Sequence, residues 1–118
     1  MLLPVRASFG RNEKMQELNL TKQGTELTAK ICCELDHHKA AILREAIDKA
    51  LDAGGVTLLV LDFSGVAFMD SSGIGLIMGR ADRAMGAGCR VRVTGLMPKL
   101  LKLVRLSGIM KLENLEVV

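Results

Sequence analysis

The sequence predicts an α/β domain in which helices pack on a mixed sheet, parallel in its centre, after an N-terminal hairpin. Two observations lead to this fold class. Segments whose apolar residues recur with a helical period alternate along the chain with short segments of strand character. Two alternating segments separated by Gly24 come before them, a pattern that is typical of an antiparallel hairpin.

The hairpin strands are predicted over residues 16–21 and 25–33, where apolar and polar side chains alternate. A helix is predicted after the polar cluster at residues 36–38, with Asp36 or a neighbour as its N-cap. The apolar stripe of this helix comprises Ile42, Leu43, Ala46, Ile47, Ala50 and Leu51.

Gly54 and Gly55 supply a left-handed stop for that helix. Residues 56–61 are almost continuously apolar, which indicates a central strand covered on both faces. A second helix is predicted to begin between residues 70 and 72. Its inner side is expected to hold Ile74, Ile77, Met78, Ala81 and Met85, and its outer side Arg80, Asp82 and Arg83.

The last third of the chain repeats the alternation of strand and helix. A strand is predicted over residues 89–93, where every second residue is apolar. Pro98 suits a first helical position, and Gly108 ends that third helix. Its apolar stripe comprises Met97, Leu100, Leu101 and Val104. A short final strand is expected within residues 110–118.

Composition limits the classes of function. The formal charge of +3 on 118 residues is too small and too dispersed to indicate nucleic-acid binding. No stretch approaches the roughly 20 apolar residues that span a bilayer, and the adjacent Cys32 and Cys33 fit a reducing cytoplasm. Residues 1–14 show no periodic pattern, so we expect a poorly ordered leader before one domain over residues 15–118.

The start of the second helix holds an unusual group of small residues. Gly73, Gly75 and Gly79 each cost about 1 kcal/mol against Ala inside a helix, so either another group approaches this backbone closely or the helix packs tightly on the sheet. Ser71 and Ser72 are typical N-cap residues. The same position would also leave a serine hydroxyl within reach of a kinase, with helix amides close to an added phosphate.

Residues 34–38 (Glu-Leu-Asp-His-His) and 68–75 (Phe-Met-Asp-Ser-Ser-Gly-Ile-Gly) resemble, in order and spacing, the signature loops of the anti-sigma factor antagonists in the STAS domain family of spore-forming bacteria. The resemblance covers residues 15–112 and implies a STAS-like fold. It implies that the anti-sigma factor, a serine kinase, phosphorylates Ser71 and that a phosphatase reverses this. The unphosphorylated form would bind the anti-sigma factor and free a sigma factor for sporulation transcription.

The resemblance also implies a partner-binding surface made of the two loops. Its expected members are Asp36, Asp70, Ser71, Ser72, Gly73 and Gly75. A protein of this kind is a regulatory module and not an enzyme, so we expect no catalytic residue, no metal and no cofactor.

A small nucleotide-binding enzyme using the Gly73, Gly75 and Gly79 turn is the alternative from another class. The dinucleotide fingerprint opens directly from the first strand, however, and here residues 62–69 intervene. A serine hydrolase would place Gly two residues before its nucleophile, where Ser71 has Met. The adjacent histidines at 37 and 38 are the only ones in the sequence, which is more typical of a solvated loop than of a metal site.

Overall fold

A computed structural model describes residues 3–4 and 17–118 of the protein. In chain order the elements are β1 (Leu3–Pro4), β2 (Leu18–Gln23), β3 (Glu26–Ile31), α1 (His37–Asp52), β4 (Leu58–Asp62), α2 (Ser71–Gly86), β5 (Arg90–Thr94), α3 (Pro98–Ser107), a 3₁₀ turn (Ile109–Lys111) and β6 (Leu115–Val117). The six strands form one sheet in chain order. The neighbours β1, β2 and β3 pair antiparallel, whereas β3 to β6 are parallel. The predicted hairpin and mixed α/β sheet are confirmed.

All three helices contribute to one core on one face of the sheet. Each parallel connection carries a helix and advances by one strand in the same direction, so right-handed crossovers leave successive helices on the same side. Apart from Phe63, Met69 and Cys89, the core is made of aliphatic side chains. Its fully buried large side chains include Leu27, Ile31, Leu43, Ile47, Leu59, Leu61, Ile77 and Val91.

The opposite face of the sheet carries polar and charged side chains. Lys30 and Arg90 are exposed there, and Arg92 Nε lies 2.6 Å from Glu116 Oε1 across β5 and β6. Val60 is buried on this face but lies outside the main core. The sheet therefore has one packed face and one polar face, and α1, α2 and α3 of the described residues lie on the packed one.

The inner face of α2 differs from the prediction. Met78 and Met85 are 46% and 45% exposed, whereas Arg80, expected on the polar side, is only 5% exposed. Arg80 turns inward because Asp48 of the neighbouring α1 provides a carboxylate, with Arg80 Nε 2.9 Å from Asp48 Oδ1. Met97, predicted in the apolar stripe of α3, precedes that helix and is 43% exposed.

Several helices and strands end or begin at the glycine and proline residues that predicted their ends. Gly24 turns the hairpin with φ +60°, and Gly54 and Gly55 follow α1 with positive φ. Pro98 is the first residue of α3, and Gly108 ends it in the left-handed region. Strand β3 ends at Ile31, two residues before the predicted end.

The predicted leader, residues 1–14, lies outside the described residues except for Leu3–Pro4. These two residues pair with β2, with Leu3 opposite Lys22 and Pro4 opposite Thr21. The division of the chain at residue 15 stays a prediction.

Candidate functional site

The two loops identified in the sequence meet at the carboxyl-terminal edge of the parallel strands. The Leu35 amide donates to the Phe68 carbonyl at 3.0 Å, and the Asp70 amide donates to the Leu35 carbonyl at 3.1 Å. These two bonds form a parallel bridge between Leu35 and Met69, both of which are buried. The bridge places Asp36 and Asp70, the residues after its two members, next to each other in register.

Asp36 and Asp70 each cap a helix. Asp36 Oδ1 accepts a hydrogen bond from the Lys39 amide at 2.8 Å, and Asp70 Oδ1 accepts one from the Ser72 amide at 2.7 Å. A side-chain oxygen at this position satisfies one of the free amides of the first helical turn. The predicted cap of α1 is confirmed, and the cap of α2 is Asp70 and not one of the serines. Both residues are exposed, so each also presents a carboxylate to solvent.

Ser71 is the exposed first residue of α2, while Ser72 is half-buried and its amide is engaged by Asp70. A kinase acting at this edge therefore has better access to the Ser71 hydroxyl. A phosphate on Ser71 would also not find the Ser72 amide free, since the Asp70 cap already uses it. A phosphate on Ser71 therefore has one helix amide fewer to bind than the sequence analysis expected.

The three glycines of α2 have different surroundings. Gly73 is buried, and a Cβ there would lie 2.5 Å from Met69 Sδ, so tight packing explains this glycine. A Cβ at Gly75 or Gly79 would meet no heavy atom of the described residues within 4 Å. Of the two explanations left open by the sequence, packing applies to Gly73, and Gly75 and Gly79 leave the helix backbone uncovered.

Two further glycines fix the position of the loop between β4 and α2. A Cβ at Gly65 would lie 2.8 Å from Cys32 Sγ and 2.9 Å from the Ile31 carbonyl oxygen. Gly95 has φ +77°, and a Cβ there would lie 2.7 Å from the Ser64 amide nitrogen. The loop that leads to Ser71 is therefore in close contact with the backbone that follows β3 and with the backbone that follows β5.

A half-buried thiol and an ion pair lie beside the α1 cap. Lys39 Nζ is 2.6 Å from Glu17 Oε2, and this hydrogen bond raises the pKa of Lys39. Burial, followed by the nearby Glu17 charge, raises the pKa of Cys33 to about 11. Cys33 is therefore protonated at neutral pH and is a poor nucleophile. The Glu17–Lys39 pair connects the start of β2 to α1.

A surface groove of about 390 Å³ extends from this edge between α1 and α2. Residues that line it include Ala40 and Arg44 from α1, and Gly75, Gly79 and Arg80 from α2. Of all the residues that line the groove, the sequence analysis placed Ser72 and Gly75 in the partner-binding surface. The four-residue spacing of Gly75 and Gly79 was a usable signal, whereas the inward turn of Arg80 depends on Asp48 of another helix.

Over residues 3–4 and 17–118, no three His, Cys, Asp or Glu side chains are grouped so as to hold a metal ion. No helix in the same part of the chain has both the length and the apolar composition needed to cross a bilayer. The described site is therefore a set of exposed loop and helix residues, with two carboxylates and a serine hydroxyl as its principal polar groups.

Comparisons with known sequences agree with this geometry. The profile of the family described as "Mlab, STAS domain" matches residues 18–116. An anti-sigma F factor antagonist of Lysinibacillus sphaericus is 36% identical over 76 residues, which are 64% of this chain and 65% of the relative. The chain thus spans slightly less than two thirds of that relative. One from Paenibacillus polymyxa is 33% identical over 86 residues, covering 73% of this chain and 74% of the relative.

Solved structures show the same fold. The anti-sigma factor antagonist SpoIIAA in its unphosphorylated form superposes with a TM-score of 0.73 and 27% identity, covering 86% of this chain and 87% of that one. The phosphorylated form of SpoIIAA, a Bacillus cell fate determinant, gives a TM-score of 0.67 with the same identity, covering 86% and 90%. The chain therefore belongs to the STAS domain family, and the two sequence relatives named above are anti-sigma F factor antagonists.

Proposed function

We propose that this protein is a phosphorylation-controlled anti-sigma factor antagonist. The unphosphorylated form binds an anti-sigma factor that is itself a serine kinase, and a sigma factor that serves sporulation transcription is released. Phosphorylation of Ser71 ends the binding, and a serine phosphatase restores it. The protein acts in the cytoplasm as a binding module and not as an enzyme.

The position of Ser71 carries this proposal. It is exposed at the first position of α2, directly after the capping Asp70, and the Leu35–Met69 bridge places Asp36 alongside. A kinase can reach the hydroxyl without unfolding the helix. The matched relatives include a protein known in both unphosphorylated and phosphorylated forms, which supports a phosphorylation switch.

The switch is electrostatic. A phosphoserine brings about −1.5 to −2 charges at neutral pH, next to carboxylates that are already exposed at this edge. At a separation of about 6 Å and an effective dielectric of about 20, each added charge costs roughly 3 kcal/mol against a neighbouring carboxylate, and water and salt reduce this cost at an exposed site. In a complex the water is displaced, so the cost falls mainly on binding.

The fold of the free protein should tolerate the phosphate. Asp70 keeps the Ser72 amide at 2.7 Å, so the cap of α2 does not depend on the Ser71 hydroxyl. A negative group at the first helical position also interacts favourably with the helix dipole. The phosphate should thus lower the affinity for the partner and leave the stability of this domain nearly unchanged.

The remaining proposed contact residues lie on the same edge. Asp70 and Ser72 are the chain neighbours of Ser71, the Leu35–Met69 bridge brings Asp36 to the same edge, and Gly75 follows one turn further along α2. Gly73 belongs to the proposed set by its place in the motif, although it is buried beneath Met69. Phe68, 53% exposed and three residues before Ser71, adds an apolar side chain that a partner can cover.

The geometry does not favour a nucleotide-binding enzyme. Gly73, Gly75 and Gly79 lie within the hydrogen-bonded helix α2, whereas a dinucleotide-binding turn needs its first glycines in the loop between strand and helix. Their amides are therefore used inside the helix and do not form a loop around a phosphate.

Three variants test the switch with a cognate anti-sigma factor and MgATP. Ser71→Ala should bind persistently and gain no phosphate by intact mass. Ser71→Asp should bind about 100-fold more weakly, equivalent to about 2.8 kcal/mol, with an unchanged melting temperature. Ser72→Ala is the matched control and should still accept one phosphate. Phosphate found on Ser72 alone, or full affinity of Ser71→Asp, would refute the mechanism.

A further inference from the structure

We infer that the groove between α1 and α2 receives an acidic segment of the anti-sigma factor, so that the docking surface extends from the Ser71 loop along α2. This inference rests on the proposed function, because the occupant is part of that partner. The groove would add a second group of contacts, which is positively charged, to the negatively charged edge that carries Asp36 and Asp70.

The walls of the groove are small. Ala40 and Ala41 of α1 face Gly75 and Gly79 of α2 across a space of about 390 Å³. Glycine within a helix weakens it relative to alanine, and a Cβ at either glycine would meet no atom of the described residues. The two positions are one turn apart, so together they expose roughly 6 Å of helix backbone.

The charges that line the groove are positive. Arg44 and Arg80 contribute guanidinium groups, and among the described residues no acidic side chain lines the groove. Arg80 is 5% exposed, and although its Nε lies 2.9 Å from Asp48 Oδ1, the two atoms are not aligned as a hydrogen bond. Arg80 Nη1 is buried and has no hydrogen-bond partner in the described part of the chain.

The neighbouring ion pairs leave a positive excess. Arg83 binds Asp52 with Nη2 at 2.7 Å from both carboxylate oxygens, and Asp48 is the ion-pair partner of Arg80. Arg44 is exposed and makes no ion pair with any described carboxylate, since the described ion pairs of this region are those of Arg80 and Arg83. A carboxylate placed in the groove would meet the Arg44 guanidinium directly and would also be attracted by the charge of the buried Arg80 in its wall.

The shape favours a polypeptide over a small ion. A single anion bound by Arg44 and Arg80 would not need two uncovered glycines over a full helical turn. A chain segment lying along α2 does need them, because only the absence of side chains lets its backbone approach. The groove also begins at Ser72 and His37, so it continues from the edge that carries Ser71.

Paired variants with the full chain test the inference, using calorimetry against the cognate anti-sigma factor. Gly79→Leu fills the groove, and Gly86→Leu is its control, since Gly86 is also in α2 and also faces open space but lies outside the groove. Arg44→Glu reverses a groove charge, and Lys49→Glu makes the same change on an exposed residue of α1 outside it.

Gly79→Leu and Arg44→Glu should each weaken binding by about tenfold or more, while both controls stay within about threefold of the wild type. Equal losses in groove and control variants, or no loss in any, would overturn the inference. If no variant loses affinity but phosphorylation of Ser71 still abolishes binding of the wild type to the anti-sigma factor, the proposed function stays intact. Absence of wild-type binding would remove both. The inference would also be overturned if inorganic phosphate bound saturably to the wild type and not to Arg44→Glu, while Arg44→Glu kept its full affinity for the anti-sigma factor.

Discussion

Asp36 and Asp70 combine two tasks that are usually separate. Each carboxylate accepts one amide hydrogen bond at the start of a helix and keeps its other oxygen for solvent or a partner. A substitution at either position therefore changes both stability and surface charge. The two effects can be separated only by a residue that caps without carrying a charge, and asparagine meets that requirement.

Asp36→Asn should keep the cap of α1 and lose the charge, whereas Asp36→Ala should lose both. We expect Asp36→Ala to lower the free energy of unfolding by about 1 kcal/mol and Asp36→Asn by a few tenths. Both should weaken partner binding per folded molecule. Chemical denaturation gives the stability of each variant, and calorimetry gives its affinity. Full affinity of both variants would show that Asp36 has only a capping role.

At the scale of elements, α1 and α2 act as one unit. The Leu35–Met69 bridge joins the loops that precede them, and the Arg80–Asp48 ion pair joins them about three turns further along. Burial lowers the pKa of Arg80, and the opposing charge of Asp48 partly offsets this. An unpaired guanidinium at this depth would be costly, so Asp48 helps to hold the two helices together.

Asp48→Ala should destabilise the protein by about 3 kcal/mol, because it leaves the buried Arg80 without its counter-charge. Asp52→Ala is the matched control on the same helix. It removes a carboxylate whose pair with Arg83 is exposed, and such pairs contribute about 1 kcal/mol or less. Urea denaturation of both variants measures the difference. Equal losses would mean that burial of Arg80 has no energetic consequence.

Much of the element pattern could be predicted from local residues. Gly24, Pro98 and Gly108 act through their own backbone preferences, so their effects are visible in the sequence alone. The inward turn of Arg80 depends on a carboxylate 32 positions earlier, on a different helix. A helical period therefore assigned Arg80 to the wrong face and placed Met78 in the core.

Of the candidate site, the two loops could be predicted from the sequence and the groove could not. The two loops were found because their residues are contiguous and similar to a known family, and the bridge confirms that they lie together. The groove beside them was not found. Ala40 and Arg44 line it only because α1 packs against α2, and neither residue type is distinctive by itself.

At the scale of the whole molecule, the proposed functional groups occupy one edge of a sheet whose polar face carries no helix of residues 17–118. Strands β3 and β4 end there, in the centre of the sheet, where parallel neighbours lie on at least one side. Binding sites of open α/β sheets commonly lie at the carboxyl ends of strands. The edge strand β1 lies two strands away from β3.

Deletion of residues 1–14 should therefore leave the switch unchanged. The described pairing that it removes is the two-residue contact of β1 with β2 at the sheet edge, so the melting temperature should fall by less than about 5 °C. The rate of Ser71 phosphorylation should match that of the full chain. Calorimetric melting and a kinase time course measure these two outcomes. A slower reaction with an intact fold would show that the leader belongs to the kinase-binding surface.

The bridge between Leu35 and Met69 has a consequence for the kinetics of recognition. Ordering one backbone residue costs about 1–2 kcal/mol of conformational entropy, and here both loops are already fixed by hydrogen bonds of 3.0 and 3.1 Å before a partner arrives. Association then requires little loop ordering, so its rate is governed by encounter and by electrostatic steering. A partner would meet a preformed edge, and phosphorylation of the hydroxyl at that edge would act mainly by shortening the lifetime of the complex.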